Sequence, residues 1–98
     1  MLYALICTDK PDSAGMRKAN RPTHLAYLDS LGDALVFAGP FTDAAGETMT
    51  GSLLVIEAPT LGDARNIAAG DPYAKAGLFA SVDIRPWRWT VKNPSQTK

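Results

Sequence analysis

Four stretches of the chain are short, apolar and bounded by turn residues, and two longer ones repeat their apolar positions at helical spacing. "LYALICT" (2–8) runs into "DKPDS", whose proline and aspartates mark a loop, so it predicts a first strand. "ALVFAGPF" (34–41) predicts a second, with Pro40 placing an edge or a bulge near its end. "TDAAGETMT" gives a polar hairpin connection, "GSLLVIEA" (51–58) a third strand and "LFASVDIRPWRW" (78–89) a fourth. From Ser13 the pattern predicts a helix that runs to Leu31 and stops at Gly32. Within it, His24, Leu28 and Leu31 recur at i, i+4 and i+7 with Leu25 beside them, defining an inward face. Pro22 interrupts this run and predicts a bent helix or two abutting ones, because proline removes a backbone hydrogen bond. "TLGDARNIAAG" (60–70) predicts a second helix: Thr60 and Asp63 have capping-box spacing, and Gly70 stands where a helix end favours glycine.

The order β-α-β-β-α-β predicts an α+β fold of the ferredoxin-like kind, a four-stranded antiparallel sheet with both helices on one face. The other face needs a cover. In strand one Leu2, Ala4 and Ile6 oppose Tyr3, Leu5 and Cys7, and in strand three Leu53 and Val55 oppose Leu54 and Ile56, so both faces are apolar where a wet face would be polar. A second copy packed sheet against sheet would supply that cover, giving a homodimer with a barrel-like shared interior. A charge at Leu5 would damage this interface if the side chain faces it. Trp87 and Trp89 fall on one face of the fourth strand and suit the same role.

Composition narrows the partners. A chain of 98 residues with 46% hydrophobic content fits one domain, expected over 1–92, with 93–98 a polar tail. Ten basic and ten acidic residues cancel and are scattered, which argues against nucleic acid and against a membrane surface as partners. "MLYALICTDK" lacks the features of a leader peptide and no run has a membrane helix's length, so a cytoplasmic protein is expected. The lone Cys7 reads as a core residue. One histidine among scattered acids is too poor a ligand set for zinc, and no cofactor motif is present; neither a metal nor a cofactor is expected.

The chemistry-bearing residues lie on the helix face. His24 is either a core histidine satisfied by backbone groups or a pocket residue, and Arg17 and Asn20, which continue its phase, bring polar groups onto an otherwise apolar stripe. Asp71 follows Gly70 at the end of the second helix, where the helix dipole disfavours an acid. It is either a turn residue before Pro72 or a partner for His24, since a carboxylate on one imidazole nitrogen fixes the tautomer and frees the other nitrogen as a proton acceptor. Ser52 lacks the surroundings of a hydrolase nucleophile.

"RPTHLAYLDSLG", "ALVFAGPF", "GSLLVIEA", "DPYAKAGLF" and "VDIRPW" follow one another in the order of the motifs of the YciI-like family, in the dimeric α+β barrel superfamily, which the chain resembles over nearly its whole length. The resemblance implies a ferredoxin-like dimer with a site centred on His24 and Asp71 and with Gly39, Ser52, Pro72 and Tyr73 close by. With Arg17 from the helix phase, the expected ligand is a small molecule. The function expected is a cofactor-independent proton transfer on a small organic or ring compound, of isomerase or dehydrochlorinase type. The alternative is a metabolite-binding or regulatory module that does no chemistry.

Overall fold

The computed structural model describes residues 1–94; of the expected tail, 95–98 lie outside the described residues. The strands are β1 (Leu2–Asp9), β2 (Leu35–Thr42), β3 (Met49–Glu57) and β4 (Phe79–Trp87). The helices are α1 (Ala14–Ser30), α2 (Leu61–Gly70) and the single turn α3 (Pro72–Lys75), and a 3₁₀ turn spans Gly32–Ala34. One antiparallel sheet has the order β2-β3-β1-β4. This is the ferredoxin-like arrangement the pattern predicts.

Local chemistry sets the boundaries. The Thr60 Oγ1 accepts the Asp63 backbone N–H at 3.1 Å and opens α2. Gly32 ends α1 with φ of +56°, a left-handed conformation that glycine adopts without strain. Pro22 does not divide α1, which is one helix from Ala14 to Ser30. Of the two outcomes expected there, a pair of abutting helices does not form: tertiary packing of the Arg17, His24 and Leu28 face holds the helix on both sides of the missing hydrogen bond. Leu25 also departs from expectation. It is 44% exposed and faces the open edge of the helix, because a 3.6-residue period carries it about 100° from His24.

Registers assign the faces of the sheet. Leu5 pairs with Leu54 and Ile84, and Tyr3 with Ile56, on the side covered by helices. Together with Cys7, Leu28, Ala58 and Ala64 they form the core. Leu5 is 1% exposed and therefore cannot face a partner: its place under the helices overturns it as an interface residue. The helix-free side carries Leu2, Ala4 and Ile6 with Leu53 and Val55. Over it lies an aromatic group in which Phe37 meets Trp87 and Trp89 edge-on at 5.8 and 5.2 Å between ring centroids. Val55 is buried beneath, whereas Phe37, Phe41 and Trp87 stay exposed.

The core assignment makes a prediction. Leu5→Ala should cost about 2–5 kcal/mol, read as a fall in the urea midpoint, because the sites around it are close-packed and cannot collapse onto the void. Leu5→Asp should prevent folding of the isolated protomer.

Candidate active site

The helix-side face changes character towards one end. There Cys7 of β1 and Ser52 of β3 are register partners, and α1 lies across them with Arg17 and His24 pointing down. The segment after α2 turns sharply at Asp71, whose extended backbone (φ −63°, ψ 127°) is the conformation that a following proline enforces. Pro72 then starts α3, and Tyr73 is brought beneath α1.

Asp71 meets both descriptions that its position allows. Its Oδ1 accepts the Tyr73 backbone N–H at 2.9 Å, capping α3, and lies 2.8 Å from His24 Nδ1. Both side chains are buried. This contact makes Nδ1 the protonated nitrogen of the neutral ring and leaves Nε2 with no partner among the described residues. The imidazole stacks on the Tyr73 ring, with centroids 3.9 Å apart and planes 13° from parallel. Its tilt and rotation are both fixed.

A second network adjoins the first. Arg17 donates from Nε and Nη2 to the two carboxylate oxygens of Asp9 at 2.8 and 2.9 Å, and from Nη2 to Ser52 Oγ at 2.9 Å. The Arg17 guanidinium also stands 4.8 Å from the Tyr73 ring centroid. Burial alone would lower the Arg17 pKa, but the hydrogen-bonded Asp9 carboxylate outweighs it and holds the pKa above its ordinary value. Burial raises the Tyr73 phenol above its usual range, against the opposing pull of Arg17 and Arg21. Tyr73 therefore remains a proton donor at neutral pH. Cys7, beneath both networks, is pushed up to about 12 by burial and by the charges of Asp71 and Asp9, so it is an inert thiol.

These groups open into a cavity of about 280 Å³ between α1 and the β2–β3 edge. Arg17, Arg21, His24, Ser52 and Tyr73 supply its polar wall and Ala38, Pro40, Met49 and Leu54 its apolar one. A larger hollow, about 540 Å³, lies near Met1, Trp87 and Trp89 at the opposite end of the sheet. It is wide open and holds no buried pair of titratable groups.

The structure thus brings together His24, Asp71, Tyr73, Arg17 and Ser52. Gly39 reaches the wall only with its backbone: it pairs with Leu53 on the helix-free side, so its missing side chain does not enlarge the cavity. Asn20 turns back to the Met16 carbonyl of its own helix and stays out of the site. Ser52 accepts from Arg17 and makes no hydrogen bond to His24, so it serves as a rest for the guanidinium. Asp9 and Arg21 escaped sequence reading. Asp9 lies in what reads as a loop opening, eight residues from Arg17, and no spacing rule links a strand end to the first turns of the next helix. For Arg21 the i, i+4 relation to Arg17 was the available signal.

Gly70 has a different reason from the one its position suggests. Its φ is not left-handed; instead a Cβ would stand 2.6 Å from the Tyr27 hydroxyl oxygen. That hydroxyl donates to the Ile67 carbonyl at 2.7 Å and ties α1 to the end of α2, one turn from both His24 and Asp71.

The fold and the site define a ferredoxin-like α+β protein with a buried carboxylate–imidazole pair at the mouth of a small cavity. The YCII-related domain model matches residues 1–88, and the chain belongs to that family. It is 37% identical over 95 residues to Protein YciI of Escherichia coli O6:H1, an alignment covering 90% of this chain and 97% of that protein. An uncharacterized protein of Haemophilus influenzae is 34% identical with the same coverage. Among solved structures it is similar to the 5-chloro-2-hydroxyhydroquinone dehydrochlorinase TftG of Burkholderia phenoliruptrix AC1100, in complex with 2,5-dihydroxybenzoquinone. That similarity has a TM-score of 0.87 and 34% identity, over 95% of this chain and 99% of that one. A NIPSNAP family protein of Agrobacterium tumefaciens shares only the fold, with a TM-score of 0.58 and 17% identity over 97% of each chain.

The Tyr27 tie gives a testable coupling. Gly70→Ala should destabilise the protein by about 1–2 kcal/mol in urea denaturation, since the clash with Tyr27 exceeds the helix propensity that alanine gains. In a Tyr27→Phe background the same change should cost about 1 kcal/mol less, because the opposing oxygen is gone.

Proposed function

We propose that the protein is a cofactor-independent enzyme that transfers protons on a small oxygenated ring compound, by elimination or isomerisation, with His24 as the acid/base group. The observation that carries this reading is the Nδ1 contact of His24 with Asp71 at 2.8 Å, which leaves Nε2 unpartnered in a residue lining the cavity. The likeness to a dehydrochlorinase of hydroxylated rings supports the substrate class.

The steps follow from the groups present. His24 Nε2 accepts a proton from an O–H or C–H bond of the substrate, and that bond's electron pair moves into the ring. The pair either forms a new π bond as a leaving group departs with the electrons of its own bond to carbon, or collects a proton at another carbon. Asp71 stabilises the imidazolium formed and keeps the ring in the productive tautomer. The Tyr73 hydroxyl and the Arg17 guanidinium can donate to substrate oxygens as negative charge develops on them. An ordered charge-bearing wall needs no rearrangement during reaction.

A second copy of the chain covers the helix-free face in this reading. The exposed aromatics Phe37, Phe41 and Trp87 beside half-buried Leu2, Ala4 and Ile6 form a contiguous apolar patch of the sort that marks an association surface. Sedimentation equilibrium at micromolar concentration should return twice the protomer mass, and Phe37→Glu should shift it towards the protomer. A wild-type protomer mass throughout would overturn the dimer.

The catalytic assignment is tested with 5-chloro-2-hydroxyhydroquinone, following chloride release. His24→Ala should keep the wild-type circular dichroism and lose roughly 10²–10⁴-fold in turnover, the usual contribution of a positioned acid/base group. Asp71→Asn, which keeps the shape but accepts less well, should lower turnover and shift the imidazole ¹⁵N signals away from the Nδ1–H tautomer. A wild type that binds 2,5-dihydroxybenzoquinone in the cavity yet turns over neither this compound nor related chlorinated hydroquinones would favour the binding module instead.

A further inference from the structure

The charges around the cavity are not evenly matched. The charge of Arg17 is neutralised by Asp9, which it meets through Nε and Nη2, and Nη2 also bonds Ser52, leaving only Nη1 to donate elsewhere. Asp71 is occupied by His24 and the Tyr73 N–H, and it lies behind the imidazole, outside the cavity wall. Arg21 lines the same wall one turn beyond Arg17, is exposed, and makes no hydrogen bond or ion pair among the described residues. The adjoining hollow is lined by Lys18, Arg21 and Glu47, so the entrance carries two unpaired cations against one acid. Glu47 makes no ion pair with either.

The geometry points to a small organic anion as the ligand, held by Arg21 through its charged oxygen while its reacting group meets His24. This rests on the acid/base reading of His24 and narrows its substrate class. Arg21 and His24 are i and i+3 on one face of α1, so their Cβ atoms stand about 5–6 Å apart. A single ring bearing an anionic group on one side and an ionisable hydroxyl on the other spans that separation. The cavity, about 280 Å³, is at the lower end of the size of small-molecule sites and admits one ring with its substituents. The apolar wall of Ala38, Pro40 and Leu54 suits the ring's faces, and a guanidinium suits a carboxylate or other delocalised oxyanion. The surplus of positive charge from Lys18 and Arg21 at the entrance draws anions towards it.

The test uses para-hydroxybenzoate and its methyl ester, which differ in charge and little in shape. Binding is measured by calorimetry and by the imidazole signals of His24 in NMR spectra. The acid should shift those signals and bind about tenfold more tightly than the ester, as a charge-assisted hydrogen bond allows. Arg21→Gln should erase the preference, and Arg21→Lys should restore part of it. If acid and ester shift His24 alike and bind equally, or if Arg21→Gln keeps the preference, the anion assignment is overturned while the His24 pocket stands. If neither compound shifts His24, this inference is overturned, and chloride release from 5-chloro-2-hydroxyhydroquinone decides separately whether His24 is an acid/base group.

Discussion

One carboxylate oxygen holds the site together. Asp71 Oδ1 accepts a hydrogen bond from the backbone N–H of Tyr73 and faces the imidazole Nδ1 of His24, so a single atom joins the cap of a helical turn to the side chain of a helix 47 residues earlier. The arrangement has consequences in both directions. The cap places Tyr73, whose ring then forms the stacking surface for His24. The imidazole in turn satisfies a carboxylate that would otherwise be buried at a helix end of the wrong polarity.

Charge burial is handled by pairing throughout this end of the sheet. Asp9 and Arg17 are both buried and meet through two parallel hydrogen bonds, the geometry that a guanidinium and a carboxylate favour most. Asp9 stands at the end of β1 and Asp71 at the end of α2, with Cys7 beside both, so this end of the apolar core is closed by buried polar pairs. The consequence is a floor of fully partnered polar groups beneath the cavity. Because every buried side-chain nitrogen and oxygen there has a partner, the groups that remain free are those directed into the cavity.

The element order and both helices were legible because each depends on local signals, turn residues around apolar runs and a capped helix start, whereas His24 and Asp71 each kept two readings from the residues alone and were paired only by the family resemblance. What stayed hidden depends on separation in space. Which face of β1 meets the helices is not decided when both are apolar, and Leu5 could be assigned only from its partners Leu54 and Ile84. Gly70 shows the same limit in another form. A glycine at a helix end reads as a conformational stop, yet its role here is to leave room for a hydroxyl from another helix. Pro22 left two outcomes open for a related reason, since only packing on both sides of the proline decides that the helix continues past one lost hydrogen bond.

The two faces of the sheet divide the work of the molecule, and the edge strand β2 belongs to both. Pro40 and Ala38 turn towards α1 and wall the cavity, while Phe37 and Phe41, alternating with them, turn to the aromatic face. The alternation is simply the two-residue period of a strand. It follows that whatever settles against the aromatic face presses on the same strand whose Ala38, Gly39 and Pro40 line the cavity. Covering that face would restrain β2, an edge strand paired with β3 alone, and so would fix the width of the cavity between it and α1.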